Sequence, residues 1–153
     1  MDLILWRHAE AEEAAVGEDD LERALTSKGE RHAERMANWL GRRITDSTRI
    51  LVSPALRCRQ TAKALQTKAR VVAALGPGAS VEDVLLATGW PDASEPALVV
   101  GHQPTLSRVA SLLLTGTEQP WALKKGAVWW LRHRPQIDDG QVVLLAVQSP
   151  DCV

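Results

Sequence analysis

The chain has 153 residues, 45% hydrophobic and 24% charged, and its 18 Lys and Arg against 19 Asp and Glu leave a net charge of −1. Residues 1–153 suit one domain with its own core; the composition excludes a disordered chain, the near-neutral balance a general nucleic-acid coat, and two cysteines a disulfide framework. With no secretory leader and no apolar run near eighteen residues, the expectation is a soluble cytoplasmic protein with neither nucleic-acid nor membrane partners.

Short apolar runs alternate with amphipathic segments, the pattern of β/α units around a mostly parallel sheet. Leu3–Trp6 opens as a strand. Residues 10–22 follow with seven acids and no Lys or Arg, leaving 12 acids and 18 bases elsewhere. This run reads as a solvated surface loop; the alternative, a carboxylate metal site, lacks the spacing of an EF-hand loop. Thr26 or Ser27 then caps a helix, Ser27 and Glu30 having capping-box spacing. Ala33, Met36, Ala37, Leu40 and Ile44 form its apolar stripe. Ile50–Val52 is the next strand. Ser53-Pro54 follows as an N-cap with proline at the first helical position, and Ala55, Cys58, Ala62 and Leu65 form that helix's stripe. Cys58 therefore reads as a small core residue rather than a nucleophile.

A third strand spans Arg70 to Leu75 and is broken by Gly76-Pro77-Gly78. Val81 to Thr88 forms a short helix. Ala97–Val100 is a strongly apolar strand ending at Gly101-His102, and Pro104 starts a helix with Leu106, Val109, Ala110, Leu113 and Leu114 on one face. Ala127–Leu131 and Val142–Val147 read as two strands, joined through Pro135–Gly140 as a hairpin-like pair at one sheet edge.

The polar residues converge on this scaffold. Arg7-His8 follows the first strand, Arg57 lies in the first turn of the helix after the second, and His102 follows the strand at 97–100. In a parallel sheet these positions share the edge beyond the strands' carboxyl ends, where ligands bind. The helix N-termini near Pro54 and Pro104 favour an anion there. Arginine forks match phosphate oxygens, each charge-assisted bond contributing about 1.5–3 kcal/mol. Neutral imidazole is a competent nucleophile, so attack on phosphorus would give a phosphohistidine intermediate that water opens. His32 and His133, by contrast, read as ordinary satisfied or solvated residues, and Arg132, Arg134, Lys124 and Lys125 as solvent-facing.

Together these stretches resemble the histidine phosphatase superfamily, the phosphoglycerate-mutase-like proteins. Arg7-His8-Ala9 in LILWRHAEA is similar to the family's Arg-His-Gly. LVSPALRCRQTA matches its Ser-Pro-x-x-Arg-x-x-Gln-Thr pattern with Arg57 as the functional member, and LVVGHQP supplies His102 as the second histidine. The short length, LERALTSKGE and MANWL resemble the SixA-type phosphohistidine phosphatase branch. The resemblance implies a three-layer α/β/α sandwich with a mostly parallel central sheet, a phosphorylated His8 and no metal or cofactor. It makes Arg7, His8, Arg57 and His102 the catalytic set, Arg7 and Arg57 phosphate ligands, and Arg23 a further phosphate contact.

Two departures bear on function. Ala9 stands where the family usually has glycine, and so needs an ordinary φ or tolerates strain. Larger members carry an acidic proton donor between the second arginine and the second histidine; here that region, Leu75 to Pro96, is short and offers Glu82, Asp83, Asp92 and Glu95 without a recognisable motif. An alkoxide leaving group needs such a donor, which contributes about 10²–10⁴-fold, whereas the imidazole of phosphohistidine needs far less help. A short chain also lacks insertions that form lids. The expected substrate is thus phosphohistidine on a protein. The alternatives are a small-molecule phosphomonoesterase using Glu82 or Asp83 and a phosphate-binding module without turnover. If residues 10–22 border the pocket, they would repel highly anionic metabolites and favour a partner with a basic surface, with Glu18, Asp19 and Asp20 as the charges to neutralise in a test.

Overall fold

The structure, a computed structural model, describes residues 1–137 and 139–153. Its strands are β1 (Asp2–Arg7), β2 (Arg49–Val52), β3 (Ala69–Val71), β4 (Ala97–Gly101), β5 (Val128–His133) and β6 (Val142–Gln148); its α-helices are α1 (Ser27–Gly41), α2 (Leu56–Lys63), α3 (Val81–Thr88) and α4 (Thr105–Thr115). The strands form one sheet in the order β3-β2-β4-β1-β5-β6. Its β3-β2-β4-β1 part is parallel, and β5 and β6 add antiparallel strands at one edge. The predicted mostly parallel sheet and edge pair are thus present; Asp138, within the predicted Pro135–Gly140 connection, lies outside the described residues.

The apolar runs are continuous because the central strands are covered on both faces. Along β1, Leu3 and Leu5 point into a core shared with Val81 and Val84 of α3 and Leu106, Val109 and Ala110 of α4. Ile4 and Trp6 point the other way, against Met36, Ala37 and Leu40 of α1 and Cys58 and Ala62 of α2. The result is the expected three-layer α/β/α arrangement. Burial of those four β1 side chains contributes roughly 1.5–3 kcal/mol each.

Several local boundaries differ from the sequence reading. Thr26, not Ser27, caps α1: its Oγ1 accepts from the Gly29 N–H at 2.9 Å, and Glu30 lies one position too far along to complete a box. Ile44 falls beyond α1 yet still packs, half-buried, on the same core. Ala55 is the N-cap of α2 and makes no side-chain cap, so Ser53-Pro54 precedes the helix instead of starting it. Pro104 is likewise the N-cap of α4. The third strand is only Ala69–Val71 because its partner β2 ends at Val52, opposite Val71; Ala73–Leu75 then turns as a 3₁₀ helix. Arg132 is not a simple solvent-facing residue, since its Nε and Nη2 each donate at 2.7 Å to the two oxygens of Asp2.

Candidate active site

Sheet register brings the predicted groups together. Arg7 of β1 pairs with Gly101 of β4, and Val52 of β2 pairs with Val100, so His8, Ser53 and His102 leave adjacent strands at one level. The His8 N–H donates to Gly101 O and the Ser53 N–H to Val100 O, both at 3.1 Å, carrying the ladder one step past the strand ends. The rings of His8 and His102 lie 5.4 Å apart, and Arg57 Nη2 is 3.4 Å from His102 Nδ1. Arg7 enters from β1, where Nη1 donates to Leu123 O at 2.7 Å.

The hydrogen bonds define which imidazole nitrogens are basic. His8 Nδ1 lies 2.8 Å from Ala9 O, a carbonyl that only accepts. The proton therefore sits on Nδ1, and Nε2 keeps its lone pair. For His102 the logic is reversed. Arg57 only donates, so His102 Nδ1 accepts and Nε2–H donates to Ser53 Oγ at 2.7 Å. Both rings are held neutral. Burial, reinforced by the charges of His102, Arg57 and Arg7, takes His8 down to about 3 despite the opposing Ala9 contact. Burial and Arg57 take His102 to about 4, with Asp20 opposing.

The arginines are positioned for an anion. Arg57 is 4% exposed, and its Nε and that of Arg7 are buried donors with no partner among the described residues. Two charged donors left unpaired beside neutral histidines form a seat that tetrahedral oxyanion oxygens would satisfy.

Second-layer contacts explain the flanking motif residues. Thr61 Oγ1 accepts from the Ala9 N–H at 3.1 Å and donates to Arg57 O at 2.7 Å, tying the turn after β1 to α2. Gln60 Oε1 accepts from the Leu25 N–H at 2.7 Å. Ala9 is fully buried and does not have positive φ, so it occupies the glycine position without left-handed strain. Cys58 is a buried thiol that burial pushes up to about 12, as fits a core residue, although its Sγ also lies 3.5 Å from His102 Nε2.

The acidic run is not wholly solvated. Asp20 binds Arg57 twice, through its carbonyl at 2.9 Å and Oδ2 at 3.1 Å, and its other carboxylate oxygen pairs with Arg23 Nη1 at 3.1 Å. Arg23 is thereby linked to Arg57 through Asp20, while its Nε donates to Glu12 O at 2.7 Å. The remaining carboxylates work separately: Glu10 accepts from Thr26 Oγ1, Glu18 from the Ala15 N–H and Asp19 from the Leu21 N–H. No group of three metal-capable side chains occurs among the described residues. Of the two candidate proton donors, Asp83 closes a capping box with Ser80 and Glu82 is exposed in the first turn of α3.

Sequence reasoning missed Asp20, Ser53 and Thr61 as partners of the cluster. It also treated His32, Lys124 and Lys125 as incidental. With Lys28, Glu10, Gln103, Leu123 and Pro150 they line a cleft of about 690 Å³ that begins at Arg7. His133 instead faces Trp90, ring centroids 5.7 Å apart. The signal available for Ser53 was its position directly after β2, level with His102.

Comparison with known proteins gives the same placement. Residues 3–78 match the model of the histidine phosphatase superfamily, branch 1. A protein of Picosynechococcus sp. is 35% identical over 145 residues, covering 86% of this chain and 85% of its own length. Phosphohistidine phosphatase SixA of Escherichia coli K12 is 30% identical over 131 residues, covering 78% of each chain. A solved structure of the protein histidine phosphatase SixA complexed with tungstate superposes with a TM-score of 0.79 at 28% identity, covering 99% of this chain and 98% of that one. No helix among the described residues is long and apolar enough to cross a membrane.

Proposed function

The chain belongs to the histidine phosphatase superfamily, and we propose that it removes the phosphoryl group from phosphohistidine carried on a protein, by way of a phosphorylated His8. In this reading residues 1–153 act as one catalytic domain. The observation that carries it is the pair of neutral histidines, rings 5.4 Å apart, flanked by the buried Nε donors of Arg7 and Arg57, which have no partner among the described residues. The similarity to a phosphohistidine phosphatase supports the substrate class, and the tungstate held by a SixA structure is a tetrahedral oxyanion, as phosphate is.

The step balances without a metal. His8 Nε2 gives its lone pair to phosphorus as the substrate's N–P bond breaks, and that electron pair stays with the departing imidazole. Arg7 and Arg57 take the charge on the equatorial oxygens. Water then attacks phosphorus, the bond to His8 Nε2 breaks, and inorganic phosphate leaves. Arg23 joins the anion seat on this reading by exchanging Asp20 for a phosphoryl oxygen.

Leaving-group chemistry favours phosphohistidine over phosphate esters. A protonated phosphohistidine leaves as neutral imidazole, whereas an ester needs a proton donor. Asp83 is committed to the Ser80 capping box and Glu82 is solvent-exposed, so neither stands prepared as the acid of the esterase alternative. The deciding experiment sets wild type and His8→Ala against phosphohistidine, phosphoserine and sugar-phosphate substrates. The reading requires turnover of phosphohistidine and acid-labile phosphate trapped on wild type, both lost in His8→Ala. Preference for the sugar phosphates overturns the substrate class, and activity surviving in His8→Ala overturns the intermediate.

A further inference from the structure

The mouth of the site is electrically lopsided. On the Arg57 side stands Asp20, whereas Glu10, at the other end of the acidic segment, lies in the cleft on the Arg7 side. On the Arg7 side opens the cleft lined by Lys28 and His32 of α1 and by Lys124 and Lys125. Its two carboxylates are already engaged: Glu10 accepts from Thr26 Oγ1 at 2.7 Å, and Asp151 is paired with Lys124. Lys28 and Lys125 are exposed and in no ion pair among the described residues. The floor between them is apolar, from Ala122, Leu123 and Pro150.

Resting on the function proposed above, we infer that this cleft seats a polypeptide segment whose acidic side chains adjoin the phosphohistidine. Arg7 is common to the cleft and the anion seat, so a chain delivering its phosphohistidine to His8 extends along the cleft without a break. The shape suits a polypeptide. Small metabolites are recognised by converging groups in enclosed pockets, whereas here Lys28 and Lys125, whose charges reinforce the Thr26 hydrogen bond in holding the Glu10 carboxyl below its usual range, stand on a solvent-facing rim. Rim charges of this kind act on encounter and register more than on chemistry. Asp20 across the mouth disfavours the same partner bound in the opposite sense, which gives the docking a direction.

The test uses three substrates at low salt: a phosphohistidine peptide flanked by glutamates, one flanked by lysines, and free phosphohistidine. The Glu-flanked peptide should have the higher kcat/KM, by about tenfold, and the advantage should shrink as salt screens it. In Lys28→Glu/Lys125→Glu the order of the two peptides should invert while free phosphohistidine turns over as in wild type. Glutamate is well tolerated in the first turn of α1, where it complements the helix dipole, and an unchanged Tm checks the fold. Equal rates on both peptides, or a preference that survives the double reversal, overturn the docking proposal and leave the phosphohistidine phosphatase in place. Turnover of free phosphohistidine that exceeds both peptides and depends on Lys28 and Lys125 overturns it in favour of a metabolite. Failure to turn over any phosphohistidine, free or peptide-borne, overturns instead the function on which it rests.

Discussion

Ser53 Oγ stands 2.7 Å from His102 Nε2, while the Ala55 N–H donates to the same hydroxyl at 3.2 Å. A hydroxyl both donates and accepts. It accepts from His102, because Arg57 requires His102 Nδ1 to be an acceptor. When a phosphoryl oxygen takes the place of that guanidinium contact, Nδ1 must donate, and Ser53 can rotate to donate to Nε2. Ser53 therefore supports either neutral tautomer of His102. Ser53→Ala removes that support and leaves His102 Nε2 only the weak Cys58 Sγ contact at 3.5 Å, a cost of about 1–3 kcal/mol. We expect kcat on phosphohistidine to fall roughly 10- to 100-fold, with Ser53→Thr, which keeps the hydroxyl, recovering much of it. Wild-type kcat in Ser53→Ala would show that His102 is oriented by other means.

Asp20 is the carboxylate closest to the chemistry, and its charge opposes any anion that Arg57 is to bind. Its own acidity shows the strength of the contact: partial burial would raise its pKa, but the bonds from Arg23 and Arg57 bring the net shift below the usual carboxylate range. Asp20→Asn keeps an acceptor for Arg57 Nη2, and the backbone carbonyl still accepts from Nη1. The variant should thus hold Arg57 in place while removing the repulsion. Inorganic phosphate should inhibit it about three- to tenfold more tightly than wild type at low salt, and less distinctly at high salt. Weaker inhibition would mean that the negative charge orients Arg57 and that the amide fails to replace it.

Much of this arrangement was legible before any coordinates, for a physical reason. A strand buried on both faces must be a short, nearly uninterrupted apolar run, so Leu3–Trp6 and Ala97–Val100 are conspicuous, and the parallel order places whatever follows them on one edge. That is why Arg7, His8 and His102 were found from spacing. Asp20 was hidden because it reaches Arg57 from 37 positions away in sequence, and nothing in a run of acids marks which one turns inward. The α1 cap was left open between Thr26 and Ser27, and the α2 cap at Ala55 was read two residues early at Ser53, because adjacent hydroxyl and proline residues offer equivalent local signals. Tertiary contacts settle the choice: Thr26 is drawn to Glu10, and Ser53 to His102.

The histidines also write a signature into stability. His8 titrates near about 3 and His102 near about 4 in the folded chain, against 6.5 when unperturbed. Below about pH 6.5 the unfolded chain binds protons that the folded chain refuses, so stability falls as pH drops toward the folded values and is flat above. Each histidine adds up to about 1.4 kcal/mol per pH unit in that window. Urea denaturation at pH 7, 6 and 5 should show the decline, and His8→Asn should reduce the slope between pH 6 and 5 by about one proton. An identical slope in the variant would place the titration elsewhere. The depressed carboxylates Asp2 and Asp20 act at lower pH and do not mimic this effect.

Gly29 gives the opposite of the usual helix rule. Replacing glycine by alanine inside a helix ordinarily stabilises by up to about 1 kcal/mol. At Gly29, however, a Cβ would stand 2.0 Å from the carbonyl oxygen of Glu10, a backbone atom with no rotamer to escape into. The close approach is enforced by the Thr26 N–H, which donates to that same oxygen at 3.0 Å, and by Thr26 Oγ1 on the Glu10 carboxylate. Accommodating the methyl group must push the segment after β1 off the start of α1, and that segment leads to Asp20. Gly29→Ala should therefore destabilise by about 2–4 kcal/mol, read as a lower urea midpoint with unchanged m. Gly41, the last residue of the same helix, is the control, because a Cβ there meets nothing within 4 Å. Gly41→Ala should leave stability unchanged or raise it slightly. If both substitutions behave alike, the crossing of Glu10 over α1 is not as tight as the geometry makes it.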